Sequence, residues 1–212
     1  MNLTSWLIVA GAVVAFFALV ILVLALRYRK VGPNEALIIA GGRKRTVTLA
    51  DGTRQKVGYR YRLGGGVFVW PGMEKVYVLP MDIMPVSVRT PEVLTHGGVP
   101  IMAEASAQVK IDSSDETIHR AAEQFLGIGR DGIRDVAVNV LEGKVREVIG
   151  GMSVEEIYRG RHEFSKRVIE AVKGDFARMG LVMLSFALKD ISDTQGYIDA
   201  LSKPQIAAAK RD

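Results

Sequence analysis

One uninterrupted apolar run near the N-terminus limits what this chain can fold into. From Trp6 to Leu26 every residue is apolar or is Gly11, and no charged side chain precedes the run. A helix of this length spans about 30 Å, the thickness of a bilayer's hydrocarbon core. A cleaved secretory signal would instead have a cationic start, a shorter apolar region and a small-residue cleavage site. The run therefore predicts a transmembrane helix, with a re-entrant hairpin as the alternative.

The residues around this run predict its orientation. Trp6 and Tyr28 lie at its ends, where amphipathic rings favour the bilayer interface. Arg27, Arg29 and Lys30 follow the run directly, and by the positive-inside rule they place the N-terminus outside. We expect a single-pass protein of the cell (plasma or inner) membrane with its C-terminal bulk in the cytoplasm. The predicted anchor residues are Trp6, Leu7, Phe16, Phe17, Leu26 and Tyr28.

Positive charge is concentrated next to the apolar run. Ten Lys and Arg residues lie between positions 27 and 62 against only Glu35 and Asp51, although the net charge of the whole chain is +5. Beside a membrane segment, such a cluster favours anionic lipid headgroups over nucleic acid. A solvated basic surface without a ligand is the alternative. The predicted lipid contacts are Arg27, Arg29, Lys30, Arg43, Lys44 and Arg45.

The rest of the chain changes from strand to helix periodicity. Short extended pieces punctuated by prolines come first, with a hairpin turn signal at Asp51-Gly52. Helical stripes follow, and the apolar run from Leu181 to Leu188 predicts a buried strand. We therefore expect an α+β protein. Its predicted parts are a transmembrane anchor with a basic flank at 1–30, a β-rich subdomain at 31–111, an α/β subdomain at 112–200 and the start of a coiled-coil helix at 201–212.

The same patterns predict the individual elements. A Ser followed three residues later by Glu supplies a helix cap from both side chains. The predicted helices are one capped by Ser113 with Glu116 and running to about Leu126, one with an apolar stripe from Ile133 to Ile149, and one capped by Ser153 with Glu156 whose stripe reaches Phe176. The predicted strands before them are Glu35–Ala40, Thr46–Ala50, Val57–Leu63, Val67–Trp70, Lys75–Leu79, Ile83–Arg89 and Ile101–Ile111.

No arrangement in the sequence indicates catalysis, a cofactor or a metal. The segment 127–132 fits G-x-G-x-x-G, but an amphipathic helix precedes it and not the strand that dinucleotide binding needs. His96, His119 and His162 lie in different elements without metal-ligand spacing. Cysteine is absent, which excludes disulfides, thiol nucleophiles and S-palmitoylation. We expect no catalytic, cofactor or metal site, with an unrecognised site assembled by the fold as the alternative.

Two further segments are candidate contact surfaces. After a triple-glycine tract, Val67, Phe68 and Trp70 are candidates for dipping into the headgroup layer. A strand packed in the β-rich core is the alternative. In the third helix two acid–base pairs fall at i, i+4, each worth roughly a few tenths of a kcal/mol within one helix. We expect these residues to lie on a lateral surface between protomers: Glu155, Arg159, Glu163 and Arg167.

Several segments, in this order, resemble the flotillin family of the stomatin/prohibitin/flotillin (SPFH, band 7) superfamily. The resemblance runs from about Val31 to Asp212, nearly all of the chain after the apolar run. Any one segment alone is weakly diagnostic, and their shared order makes the resemblance specific. The segments are VGPNEALIIAGG, VWPGMEKVYVLP, AAEQFLG, SVEEIY and SFALKDI.

The resemblance implies both a fold and a role. Flotillins have a β-rich half against the membrane, an α/β half and a long coiled coil, and they are not enzymes. They assemble into ring- or cage-like homo-oligomers that enclose membrane microdomains, also called lipid rafts. We therefore expect a scaffold whose partners are anionic lipids, copies of itself and membrane client proteins, with the chain cut where the coiled coil begins. The alternative is a membrane-tethered adaptor that regulates a membrane protease or another membrane enzyme.

Overall fold

The structure, a computed structural model, describes residues 3–26, 28–48, 54–70, 73–198 and 200. Helices and strands alternate in blocks along these ranges. In chain order they are α1 (Leu3–Leu26), β1 (Tyr28–Thr48), β2 (Arg54–Phe68), β3 (Lys75–Pro80), β4 (Met84–Arg89), β5 (Val93–Leu94), β6 (Pro100–Ile111), α2 (Asp115–Phe125), α3 (Gly129–Gly150), α4 (Val154–Arg159), α5 (Arg161–Met179) and β7 (Leu181–Asp193). The chain divides into two units, Met1–Leu79 and Pro80–Asp212.

The apolar run forms one helix, α1, of 24 residues. After Thr4 and Ser5 in its first turn, its residues are apolar on every side, and such helices are typical of surroundings that are themselves apolar. Most of its described large side chains are exposed, with Phe16 63% and Leu26 75% accessible. By length and mean hydropathy, no helix of the described residues qualifies as a membrane span. The predicted helix is therefore present, and its passage through a bilayer stays a prediction.

The first unit is built on a long antiparallel pair of strands. β1 pairs with β2 from Tyr28 opposite Phe68 to Thr48 opposite Arg54, and the sheet order is β2-β1-β3. The predicted hairpin connection is confirmed by this pairing, whereas its turn residues lie outside the described ranges. Each strand merges two predicted pieces, because irregular register absorbs the residues between them. One face buries a small core: Val31, Leu37, Ile39, Val67 and Val69, with Val76 packed against it.

The second unit contains a separate antiparallel sheet. β6 is its central strand, with β4 and β5 along one side and β7 along the other. β7 pairs with β6 from Ile111 opposite Leu181 to Ile101 opposite Asp193. The boundary between units therefore falls after Leu79 and not at 111/112 as predicted from the sequence. The physical reason is that β4 pairs with β6, and β6 completes its hydrogen bonding with β7, which begins 70 residues after β6 ends.

Alternation along the strands separates the two faces of this sheet. Met84, Val86 and Val88 are buried on β4, and the residues between them are exposed. On β6 the buried positions include three small alanines, which leave room for helices to approach. The helices α3 and α5 supply the opposing apolar stripes: Ile133, Ala137, Leu141, Val145 and Ile149 on α3, and Phe164, Val168, Val172 and Phe176 on α5. The other face of the sheet is polar.

Two predicted helix features differ from the structure. The cap of α2 is Ser114, whose side chain accepts from the Thr117 backbone amide, so the predicted box of Ser113 with Glu116 is wrong by one residue. The predicted third helix is two helices, α4 and α5, separated at Gly160. Its predicted cap by Ser153 and Glu156 is confirmed. The coiled-coil start predicted at 201–212 lies outside the described residues.

Candidate functional site

The predicted anchor residues lie on α1 and at the first residue of β1. Their described side chains project outward, with Trp6 61%, Phe17 60% and Tyr28 54% exposed. Phe16 and Phe17 meet edge to face, with ring centroids 6.2 Å apart. For Leu7 only the backbone is described. The described anchor residues therefore share one property, a large apolar surface left uncovered by their own chain.

The predicted lipid-binding cations flank α1 and continue along β1. Arg27 lies outside the described residues, and Lys30 carries an exposed side chain on β1. For Arg29, Arg43, Lys44 and Arg45 only the backbone, within β1, is described. The structure thus places five of these six residues on one strand, which begins two residues after the apolar helix ends.

The three residues of the predicted dipping loop separate into two environments. Val67 is 7% exposed and belongs to the core of the first unit, so the strand alternative holds for that residue. Phe68 is half-buried at the end of β2, and Trp70 is 62% exposed. Their rings meet edge to face at 5.9 Å. The glycine tract before them lies within β2, so of these residues only Trp70 follows the strand. We name Phe68 and Trp70 the apolar tip.

An ion pair that the sequence did not reveal holds this tip. Arg60 Nη2 donates to both carboxylate oxygens of Glu74, each at 3.0 Å, and to the Phe68 carbonyl at 3.3 Å. The Glu74 carboxylate also accepts from the Trp70 backbone amide at 3.0 Å. The Glu74 side chain is only 8% exposed, against 37% for Arg60. Arg60 and Glu74 are 14 residues apart in sequence, and neither strand pattern nor helix spacing relates them.

The four predicted assembly residues come together in the second unit. Glu155, Arg159, Glu163 and Arg167 line one open groove of about 440 Å³ where α4 ends and α5 begins, with Met152, Glu156 and Gly160 completing its lining. Glu163 pairs with Arg167, with Oε1 and Nε 3.4 Å apart. Glu155 and Arg159 do not pair with each other. Because the helix is interrupted at Gly160, residues from α4 and from the start of α5 together line a charged groove.

Hydrogen bonds lower the pKa of one carboxyl group in this groove and of another on the polar face of the second unit's sheet. The Ser153 backbone amide donates to Glu156 at 2.8 Å, and this bond, together with the Ser153 side chain, lowers the pKa of the Glu156 carboxyl. On the sheet, Arg89 donates to Glu104 at 2.8 Å, which raises the pKa of Arg89 and lowers the pKa of Glu104. Both carboxylates are therefore held in their charged form at neutral pH.

The glycine-rich segment and the three histidines, which the sequence offered as candidates for chemistry, lie in other parts of the fold. The glycine-rich segment 127–132 ends the connection after α2 and continues into the first turn of α3, and a helix precedes it as expected. His119 is buried in α2 with its Nε2 3.4 Å from a Glu123 carboxylate oxygen, whereas His96 and His162 are exposed on other elements. Over the described ranges, no three His, Asp or Glu side chains form a cluster able to hold a metal.

Comparison with known proteins agrees with this architecture. The SPFH domain / Band 7 family matches residues 29–212. Flotillin-like protein FloT of Bacillus subtilis is 43% identical over 204 residues, which cover 94% of this chain and 39% of the relative. Flotillin-1 of Drosophila melanogaster is 38% identical over 182 residues, covering 85% of this chain and 40% of the relative.

The human relative extends the same comparison. Flotillin-2 of Homo sapiens is 37% identical over 182 residues, covering 86% of this chain and 40% of the relative. The chain thus spans about 40% of the length of these curated relatives. Since the family match extends over most of the sequence, from β1 to the C-terminal residue, the chain belongs to the SPFH domain / Band 7 family, as a flotillin-family protein.

Proposed function

We propose that this protein is a membrane-anchored scaffold that associates with copies of itself and organises patches of membrane, without catalysing a reaction. The observation that carries the proposal is α1, a 24-residue apolar helix with exposed large side chains, attached to an SPFH domain. Exposed apolar area of this size is unfavourable in water and is stabilised in lipid. Membership of the flotillin family supports the scaffold role.

In this proposal α1 crosses the bilayer once and the SPFH domain lies in the cytoplasm. Its 24 residues extend about 36 Å, enough for the hydrocarbon core with some tilt. The apolar sequence and the exposed side chains support the anchor, even though no described helix meets the span criteria above. The match to the Bacillus subtilis relative covers 94% of the chain, leaving fewer residues unmatched than α1 contains, so it extends into α1.

The basic residues on and beside β1, together with the apolar tip, supply a second contact with the membrane. Each Lys or Arg near an anionic surface contributes about 1 kcal/mol of attraction. Lys30 is exposed, and the sequence places Arg27, Arg29, Arg43, Lys44 and Arg45 on the same segment. Phe68 and Trp70 add apolar and aromatic surface of the kind favoured at headgroup level. Val67 does not take part, because it is buried in the core of its unit.

Self-association is proposed to use the charged groove between α4 and α5. Glu155 and Arg159 are exposed and unpaired with each other, so both charges are accessible to the surface of another protomer. Pairs shared between protomers in a partly desolvated contact are worth more than exposed pairs within one helix. A head-to-tail contact of this kind produces a closed ring when the rotation from one protomer to the next divides a full turn evenly.

Membrane flotation tests the anchor. We expect the intact chain to float with vesicles in a density gradient and to stay with them after extraction at high pH. A variant with Val14→Lys and Phe17→Lys should lose this resistance, because two charges at the centre of a membrane helix are expensive. A matched control introduces the same two lysines at exposed neutral positions outside α1, as Gln124→Lys with Asn139→Lys. Loss of the wild-type chain from vesicles at high pH would contradict the anchor.

The adaptor function is an outcome of a second test, chemical crosslinking followed by mass spectrometry. A scaffold predicts crosslinks between copies of the chain. A different membrane protein recovered in stoichiometric amount, without crosslinks between copies, would instead support an adaptor that regulates a membrane enzyme.

A further inference from the structure

Trp70 and, three and four residues later, Met73 and Glu74 are the described ends of a turn in the first unit, and they are fastened at several points. The Glu74 backbone amide donates to the Trp70 carbonyl at 3.3 Å, and the Trp70 amide donates back to the Glu74 carboxylate at 3.0 Å. Pro71 and Gly72, between them, lie outside the described residues. The two described ends of the turn are thus tied to each other through both backbone and side chain.

Glu74 also ties the turn to β2. Its carboxylate receives Arg60 Nη2 on both oxygens, and the same nitrogen reaches the Phe68 carbonyl at the end of β2. Because the Glu74 side chain is 8% exposed, removing Arg60 would leave a nearly buried carboxylate without its main cation. Within the described chain, Arg60 Nε is a buried polar atom without a partner, so Arg60 depends on its remaining bonds.

Gly41 on β1 gives the turn a third point of attachment. Its φ of +102° is a conformation that side chains rarely adopt. A Cβ added there would collide with the Met73 carbonyl oxygen. The absence of a side chain therefore lets the turn approach β1 closely.

The fastened turn presents apolar and aromatic side chains to the outside. Trp70 is 62% and Met73 74% exposed, and Phe68 lies edge to face against Trp70. Tyr28 lies opposite Phe68 in the β1–β2 register. Its ring lies so close to Gly66 that a Cβ added at Gly66 would overlap it. We name Tyr28, Phe68, Trp70 and Met73 the aromatic ledge. It begins two residues after α1 ends, within the same unit.

We infer that Arg60 and Glu74 are positioning residues that hold the aromatic ledge in the orientation in which Trp70 and Met73 insert at the headgroup boundary of the bilayer. The inference rests on the proposed membrane anchor, because continuity with α1 is what assigns lipid, and not protein, as the occupant. Tryptophan, tyrosine and methionine suit that layer, since each carries apolar surface with a polar or polarisable group. Side chains held in place before they insert lose less conformational entropy on binding.

The charges of the pair are compatible with this location. Arg60 and Glu74 neutralise each other through two bonds of 3.0 Å, so the pair adds no net charge behind the ledge. Without Arg60, the Glu74 charge would be repelled by anionic headgroups and would draw water into the turn. The pair therefore both fixes the turn and makes it acceptable to lipid.

The two tryptophans of the chain allow separate readouts of the anchor and the ledge. Trp6 lies in α1 and Trp70 lies in the ledge, and the sequence contains two Trp. A Trp6→Phe chain reports only the ledge, and a Trp70→Phe chain reports only the anchor. Both are reconstituted in vesicles of phosphatidylcholine with phosphatidylglycerol, with or without acyl chains brominated near the headgroup, and indole emission and quenching are recorded.

We expect Trp70 to be blue-shifted and quenched by brominated lipid. In the same Trp6→Phe background, Arg60→Ala and Glu74→Ala should each shift its emission towards that of indole in water and abolish the quenching. The double variant should lose no more than either single variant, because the two residues act as a unit. Arg60→Lys, which keeps a cation beside Glu74, should retain part of the quenching.

Lys75→Ala is the matched control, because it removes an exposed charge one residue after Glu74 without touching the pair. Circular dichroism checks that each variant folds, and Arg60→Lys provides the readout if the alanine variants do not. Quenching of Trp70 that persists in a folded Arg60→Ala or Glu74→Ala chain would overturn the inference. So would blue-shifted emission that brominated lipid leaves unquenched, which indicates a protein contact. Unquenched Trp6 in the Trp70→Phe chain would overturn the membrane anchor itself.

Discussion

Ser153 and Glu156 illustrate which residue-level features are readable from sequence. Each bonds the other's backbone amide, at 3.2 and 2.8 Å, and their spacing of three residues defines the motif. The cap of α2 was harder to assign, because two serines are adjacent there. Ser114 is the one whose hydroxyl accepts from the Thr117 amide. Only Ser113 has a Glu three residues later, yet Ser114 caps the helix, so this spacing alone does not identify the cap.

The capping box makes α4 sensitive to acid. Its hydrogen bonds lower the pKa of Glu156 in the folded state, so its contribution to stability is complete above the unfolded pKa of about 4.3 and is lost as pH falls through the folded value. We expect Glu156→Gln to destabilise the protein at about pH 7 and to make little difference at about pH 3. Urea unfolding at both pH values measures this, with Glu155→Gln as control. An equal effect of Glu156→Gln at both would contradict the assignment.

Two glycines near the end of α5 should respond oppositely to alanine. Gly180 caps the helix with φ +75°, and a Cβ there would collide with the Thr117 carbonyl of α2. We expect Gly180→Ala to lower the free energy of unfolding by more than about 1 kcal/mol. Gly174 lies within the same helix with no atom near its Cβ position, so Gly174→Ala should raise stability by about 0.5–1 kcal/mol. Thermal or urea unfolding decides, and a neutral Gly180→Ala would contradict the packing.

At the scale of elements, the largest surprise is the division of the third helix. Ile157 and Phe164 are seven residues apart, two helical turns, so the apolar stripe continues across Gly160 without a break. Periodicity therefore could not reveal that one helix ends and another begins there. The glycine tract 64–66 has the composition of a loop, but it lies inside β2, where Gly64 and Gly65 adopt positive φ.

The groove created by this division makes a prediction about assembly. Arg159→Glu with Arg167→Glu reverses both cations of the groove, and we expect the oligomer extracted in mild detergent to dissociate into smaller species. Lys166→Glu with Lys173→Glu makes the same change in charge on α5, outside the groove lining, and should leave the size unchanged. Light scattering after size-exclusion chromatography gives the mass. An unchanged mass for the groove variant would remove this surface from the assembly.

At the scale of the whole molecule, sequence predicted the class and the family but misplaced the boundary between units. The α+β composition and the three strands predicted between residues 75 and 111 are confirmed within one residue, whereas the two-residue strand β5 is not among the predicted strands. Which sheet each strand joins depends on long-range pairing, such as Ala103 with Ile191, that local patterns do not encode. The Arg60–Glu74 pair was unpredictable for the same reason, because its partners meet only after β2 and the following turn have formed.

The central claim is that the protein anchors in membrane and assembles there with copies of itself. The most direct test is the mass of the particles released when membranes containing the protein are extracted with a styrene–maleic acid copolymer, which carries the surrounding lipid along. The account predicts a discrete lipid particle containing several copies of the chain. One copy in each lipid particle, or protein free of lipid, would contradict it.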